Sequence, residues 1–302
     1  MNYYSILDHV FVMRPMLHLP VWTITILGFY AFEQSSEYNI SLLTALAVVS
    51  GLSAAAFLLN QIYDIDSDRV NNKLHFLPRQ YVRVGTAWVM FILLTSVSLI
   101  LAVLISIKVA LVSLLIMLLG ILYSVPPAAL KNRAWPAAFA NGLGPGALAF
   151  ILGYCAAGGS SVSAAVHSLP YFSAVIAVYI GTTIPDIEGD KKSGKLTIGI
   201  IYGQKESRYL IMIFYVLSVL AGLIVHDRLF LIAALISLPF YIRLADKKTD
   251  RSIILAVKIS ILSLSFVVFG IYPLYAIFVV LLILFTRAYY QGRFRMKYPS
   301  LN

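Results

Sequence analysis

Apolar residues run along this chain in long blocks separated by short polar stretches. Blocks at 16–33, 40–62, 84–106, 109–124 and 135–155 approach the length needed to cross roughly 30 Å of hydrocarbon as a helix. Five more lie at 166–185, 208–225, 229–243, 252–270 and 272–288, the last two divided by Gly270-Ile271-Tyr272-Pro273, which reads as a tight turn. None alternates apolar and polar residues with period two, so the pattern predicts helices and not the strands of a barrel. The predicted architecture is an all-α polytopic transmembrane bundle of nine or ten helices, ten by direct count. The opening MNYYSILDHVFVMRP has no basic start, apolar stretch and small-residue cleavage site in sequence, so the first span is expected to be retained.

Composition agrees with that pattern. Of 302 residues, 60% are hydrophobic and only 12% charged, and the mean hydropathy is +0.88, which excludes an ordinary soluble globule. The single cysteine, Cys155, lies inside an apolar block and excludes an internal disulfide. The net charge of +10 is distributed unevenly. With the N-terminus placed in the cytoplasm, all but three of the 23 lysines and arginines fall in inner segments; Lys108 and Arg228 are outer and Lys258 lies within a span. The positive charge is therefore a topology signal and predicts an inner C-terminus. With no soluble basic domain to carry it, it does not indicate nucleic-acid binding.

The charges that interrupt this pattern most informatively are acidic. Asn60-Gln61-Ile62-Tyr63-Asp64-Ile65-Asp66-Ser67-Asp68-Arg69 ends the second block, and Pro185-Asp186-Ile187-Glu188-Gly189-Asp190-Lys191-Lys192 ends the sixth. On a continuous helix Asn60, Asp64 and Asp68 fall at i, i+4 and i+8 and share one stripe, while Asp66 points elsewhere. Asp186 and Asp190 repeat the four-residue spacing. Asn60 lies 20 residues after Ile40 and Asp186 lies 19 after His167, so both reach the inner rim of the membrane. The two stretches can then face each other as one site in a polar cavity open to the cytoplasm. They divide a single domain, 1–302, into two four-helix halves with motifs at 60–68 and 186–190, followed by C-terminal helices.

Carboxylate and amide oxygens without histidine or thiolate favour Mg²⁺, which makes Asn60, Asp64, Asp68, Asp186 and Asp190 the expected metal ligands. Magnesium held by one or two carboxylates keeps room for phosphate oxygens, and two such sites can clamp a diphosphate. Arg69, Arg79, Lys131, Lys191, Lys192 and Lys195 supply cations for that anion. Intramembrane acids also mark ion paths, so a transporter is a distant alternative. Transport sites lie nearer the midplane at broken helices, whereas these acids end their spans.

The chain resembles the UbiA superfamily of intramembrane prenyltransferases over nearly its whole length. NQIYDIDSD is similar to the family's first aspartate-rich signature and IPDIEGDKKSGKLTIGIIYG to its second, at matching separation. Tyr123-Ser124-Val125-Pro126-Pro127 followed by Lys131 resembles the YSxPP segment, and Arg14-Pro15 the opening motif. The resemblance implies an enzyme in which Asp64, Asp68, Asp186 and Asp190 are catalytic, with Mg²⁺ as cofactor. Arg14, Asn60, Arg69, Arg79, Tyr123, Lys131 and Lys191 would bind the substrate. The implied partners are a prenyl diphosphate donor, an aromatic or lipid acceptor and membrane lipid. A cyclase of the same architecture, needing no acceptor, remains an alternative. Two departures stand out. Asn71-Asn72-Lys73-Leu74-His75-Phe76 replaces Asn-Lys-Pro-x-Arg-Pro, and family members resemble nine-helix bundles with an outer C-terminus, whereas the charge pattern here predicts a tenth span.

Overall fold

The computed structural model of the chain describes residues 3–70, 76–246 and 250–298, and every regular element among them is a helix. A short α1 (Tyr3–Phe11) leads through a turn into α2 (Leu19–Glu33), and the two make the first candidate crossing. Helix α3 (Ile40–Tyr63) is continued past a break by α4 (Ile65–Val70), and α5 (Val84–Ile105) turns at Ser106 into α6 (Ile107–Ser124). Helix α7 (Ala134–Asn141) passes through a π-helical segment, Gly142–Leu148, into α8 (Ala149–Ala156). A bend of 46° joins α9 (Ser161–His167) to α10 (Leu169–Thr183). The short α11 (Ile187–Lys192) precedes α12 (Ile198–Ile224), α13 (Arg228–Asp246), α14 (Asp250–Ile271) and α15 (Pro273–Phe294).

Helices begin where the sequence supplies capping chemistry. The Asn39 side chain accepts the Leu42 N–H at 2.9 Å to open α3, and Ser106 accepts that of Val109 at 3.2 Å to open α6. Prolines stand in the first turns of α2, α10 and α15, where a missing N–H is no loss. Helices α2 and α8 approach closely because Gly28 faces the Phe150 carbonyl and Gly153 faces that of Thr25, with no room for a Cβ at either point. The main core runs from Leu19 to Val279 and draws on both halves of the chain. Each acidic stretch rests on a smaller cluster: Leu58, Ile62 and Ile65 belong to one, Ile184, Ile187 and Ile198 to the other.

Among the described residues, eight helices are long and apolar enough to cross a membrane, or nine if the bent pair is one span. The chain is an integral, multi-pass membrane protein. Helix α13 forms at the eighth expected block but is not among those eight or nine. The two ends of the bundle decide its role. Buried Asp8 accepts a hydrogen bond from the Tyr289 hydroxyl and pairs with Arg293 at 3.1 Å, and Phe11 stacks on Tyr289 at 3.7 Å. The start of α1 and the end of α15 therefore lie on one face, which requires an even number of crossings. Among the described residues, α13 added to those nine makes ten. Arg293→Met is expected to strand the Asp8 carboxylate, 1% exposed, and to lower stability by about 3–5 kcal/mol. Thermal unfolding in detergent measures this, and an unchanged melting temperature would remove Arg293 from that role.

Candidate active site

The first acidic stretch is not one continuous helix. Helix α3 ends at Tyr63, and Asp64 adopts φ −103°, ψ 4°, the sparsely populated bridge region in which active-site residues are often found. The four-residue register survives the break because the Asp68 N–H donates to the Asp64 carbonyl at 2.8 Å. The second stretch repeats this geometry. Asp186 has φ −94°, ψ 4°, and the Asp190 N–H donates to the Asp186 carbonyl at 2.8 Å. Each motif thus presents an aspartate pair on a hydrogen-bonded turn at the end of a long helix. Just beyond the second motif, the Gly199 N–H donates to Thr183 Oγ1 at 3.2 Å, and a Cβ at Gly199 would meet the Thr183 carbonyl oxygen at 2.7 Å.

Lys195 links the two pairs, and Lys131 stands against the first. The Lys195 N–H donates to the Asp190 carbonyl at 3.1 Å while its ammonium lies 4.0 Å from Asp64. Lys131, 7% exposed, places its ammonium 2.9 Å from Asp64, whose side chain is 13% exposed. The segments carrying these lysines are themselves paired, since the Leu196 N–H donates to the Asn132 carbonyl at 3.0 Å beside a parallel bridge between Arg133 and Leu196. Tyr123 completes the junction. Its hydroxyl accepts from Asn141 Nδ2 at 3.2 Å, shares a hydrogen bond with Tyr179, and is within electrostatic reach of both Asp64 and Asp190. Arg14 has a left-handed backbone, φ 54°, and the turn presenting it is held by buried Gln61, which donates to the Val12 carbonyl at 2.7 Å.

An apolar cavity of about 280 Å³ opens beside these groups. Arg14, Asn60, Tyr123, Ser124 and Asn141 line it at that end, and Val21, Val49, Leu52 and Ile116 line it deeper in the bundle. An anionic head beside the lysines with an apolar tail in the cavity is the ligand shape this arrangement suits. Burial, and then the neighbouring Asp64 charge, push the Asp68 carboxyl up to about 6, against the opposing pull of Arg14, Lys195 and Lys131. Burial lowers the Lys131 ammonium below its ordinary range, and Asp64 opposes that shift.

The UbiA prenyltransferase family matches residues 21–253. This chain belongs to that family. A digeranylgeranylglyceryl phosphate synthase of Sulfurisphaera tokodaii is 26% identical over 216 residues, 70% of this chain and 77% of that protein. A chloroplastic 2-acyl-4-prenylphloroglucinol 6-prenyltransferase of Humulus lupulus is 28% identical over 166 residues, 49% of this chain but only 38% of its own length. The structure of a UbiA homologue from Archaeoglobus fulgidus bound to DMAPP and Mg²⁺ superposes with a TM-score of 0.66. It is 20% identical and covers 88% of this chain and 99% of that one, a likeness of fold. The UbiA assignment makes prenyl transfer the class of chemistry.

The sequence-predicted residues fare unequally in this UbiA chain. Arg14, Asn60 and Tyr123 line the cavity, Lys131 pairs with Asp64, Asp68 is within electrostatic reach of Arg14, and Asp190 of Tyr123. Asp186 is exposed at the start of α11. Asp66, as expected, points away: its side chain is 98% exposed and meets Arg69 at 3.6 Å. That pairing holds Arg69 outward, and Arg79 and Lys191 are also exposed, so none of the three stands among the buried cations. His75 and Lys73 lie outside the described residues. Asn141, Tyr179 and the bridging position of Lys195 were not picked out from sequence. An amide at Asn141 inside an apolar block is a signal for the first, and the seven-residue interval from Tyr179 to Asp186 is one for the second.

Among the described residues, no three His, Cys, Asp or Glu side chains converge on one point, so these residues form no preformed five-ligand cage. Magnesium does not need one. It binds through one or two carboxylates with water and phosphate oxygens completing its shell, and two aspartate pairs offer that donor set. The raised Asp68 carboxyl is a second mark of fit, because two neighbouring carboxylates, one raised by burial and by the other's charge, favour an added cation. Since its folded value exceeds the ordinary 3.8, protonation favours the folded state. Stability contributed by the protonated form is present below about 4 and lost as pH rises through about 6. Asp68→Asn is expected to raise the melting temperature in chelator at pH 7.5 and to flatten its dependence between pH 4 and 7. A variant melting below wild type at pH 7.5 would contradict this.

Proposed function

We propose that this chain catalyses Mg²⁺-dependent transfer of a prenyl group from a prenyl diphosphate to an aromatic or lipid acceptor within the membrane, at a site facing the cytoplasm. The observation that carries the reading is the pair of aspartate turns, linked through Lys195 with Lys131 paired to Asp64, beside the Arg14, Asn60 and Tyr123 end of an apolar cavity. Asp64 and Asp68 with Asn60, and Asp186 and Asp190, are the residues that would hold the metal. When bound, Mg²⁺ supplies Lewis-acid stabilisation of charge on the departing diphosphate. Arg14, Lys131 and Lys195 bind the diphosphate and offset its charge, and the outward Arg69, Arg79 and Lys191 draw the anion toward the mouth. The C1–O bond of the donor breaks and leaves an allylic cation. The ring of Tyr123 faces that charge, and the apolar walls exclude the water that would quench it to an alcohol. The acceptor's nucleophilic atom bonds to C1 and loses its proton.

Incubating the purified protein with labelled donor and a membrane extract tests the reading. A labelled acceptor appearing together with diphosphate is the expected result. A cyclised hydrocarbon formed without acceptor would replace transferase with cyclase, and flux of intact substrate across liposomes without diphosphate release would replace the enzyme with a transporter.

A further inference from the structure

We infer that the donor is a short prenyl diphosphate of about two isoprene units, selected by a cavity whose depth is graduated along α3. The inference rests on the transferase reading. On α3 the cavity is lined by Val49, Leu52, Ser53, Ala56, Phe57 and Asn60, one face of the helix at spacings of three and four. Asn60 is at the mouth beside the acidic stretch, and Val49 lies 11 residues deeper, about 16 Å at the helical rise. On α6 Tyr123 is at the mouth and Ile116 lies seven residues deeper, about 10 Å. Val49 and Ile116 are each nine residues from the outer ends of their helices, so they mark one level. That level is the floor. Val49 is 1% exposed and Leu52 is 3% exposed, and both pack into the main core, which fills the bundle beyond them.

An extended carbon chain advances about 1.2 Å per bond, so one isoprene unit of four chain bonds occupies roughly 5 Å. The depth admits two to three units. Volume sets the tighter limit. A 150 Å³ apolar cavity accommodates the six carbons of benzene, and on that scale about 280 Å³ accommodates roughly 11 carbons. A ten-carbon tail fills the space, whereas a twenty-carbon tail exceeds it almost twofold and must leave the cavity or displace its walls. The gradations follow from the register. Ala56 lies four residues from the mouth, about one isoprene unit, and Leu52 lies eight residues from it, just above the floor.

The test is the rate of diphosphate release from five-, ten-, fifteen- and twenty-carbon prenyl diphosphates at a fixed acceptor extract. It is read as kcat/KM for wild type, Leu52→Ala and Ala56→Leu. Wild type is expected to peak at ten carbons and to fall at least tenfold by twenty. Removing the Leu52 side chain should move the optimum to fifteen carbons or more, and enlarging Ala56 should move it to five. Equal or better use of the twenty-carbon donor by wild type would overturn the inference while leaving the transferase reading intact. Optima unmoved in both variants would overturn the ruler on α3. No release from any donor would overturn the transferase reading itself. The wild-type series decides the chain-length claim even where a variant fails to fold.

Discussion

Asp64→Asn and Asp190→Asn are each expected to lower diphosphate release by about 10²–10³, the effect of losing one strong electrostatic contact to a developing charge, roughly 2.7–4 kcal/mol. Asparagine keeps the volume and the acceptor oxygen and removes only the charge. Both positions bear on the same small region, because Lys195 bonds to the Asp190 carbonyl and reaches toward Asp64, and Tyr123 senses both acids. At Asp64 a second effect is expected. Lys131 keeps its ammonium charged in a buried position with the help of a carboxylate 2.9 Å away, so the variant should also melt at a lower temperature. Asp190→Asn should melt closer to wild type, which separates loss of chemistry from loss of fold. Asp66→Asn is the control, since its side chain is 98% exposed and pairs with Arg69 at 3.6 Å, away from the other acids. Release near the wild-type rate in both variants would mean that the two stretches are not one site.

Removing divalent cations is expected to stop turnover completely, and Mg²⁺ should restore it. The donor set is all oxygen, and two separate aspartate pairs suit a small octahedral ion that shares its shell with phosphate. Mn²⁺, similar in size and geometry, should replace it better than Ca²⁺, which prefers six to eight ligands at longer distances. Diphosphate release in excess chelator, followed by back-titration with each ion, measures this. Full activity in chelator would leave lysine and arginine as the only groups offsetting the leaving charge and would remove the metal from the account.

Much of this molecule can be read directly from its residues. The ten apolar blocks all became helices, and the motif at 60–68 and its partner at 186–190 both lie at the ends of long helices. The pairing of Asp8 with Arg293 also supports the even number of crossings that the lysine and arginine distribution predicted. What periodicity could not show was the break at Asp64, because i, i+4 spacing looks the same whether a helix continues or a single turn closes after a bridge-region residue. Nor does sequence reveal which cation turns inward. Lys131 and Lys195 are drawn in because their segments pair through Asn132 and Leu196, a contact between positions more than sixty residues apart. Arg69 is turned out by its neighbour Asp66, three residues earlier on the same short helix. Cavity depth was equally hidden, since it depends on where side chains from α2, α3 and α6 meet.

The joining of two acidic turns on separate helices into one metal and diphosphate site is open to direct measurement. Its most direct test is a Mn²⁺ titration followed by electron paramagnetic resonance, with and without a ten-carbon prenyl thiolodiphosphate, for wild type, Asp64→Asn and Asp190→Asn. The diphosphate analogue is expected to strengthen metal binding in wild type, and either substitution alone to abolish this strengthening. Metal binding that is insensitive to the analogue, or that survives each substitution unchanged, would contradict it.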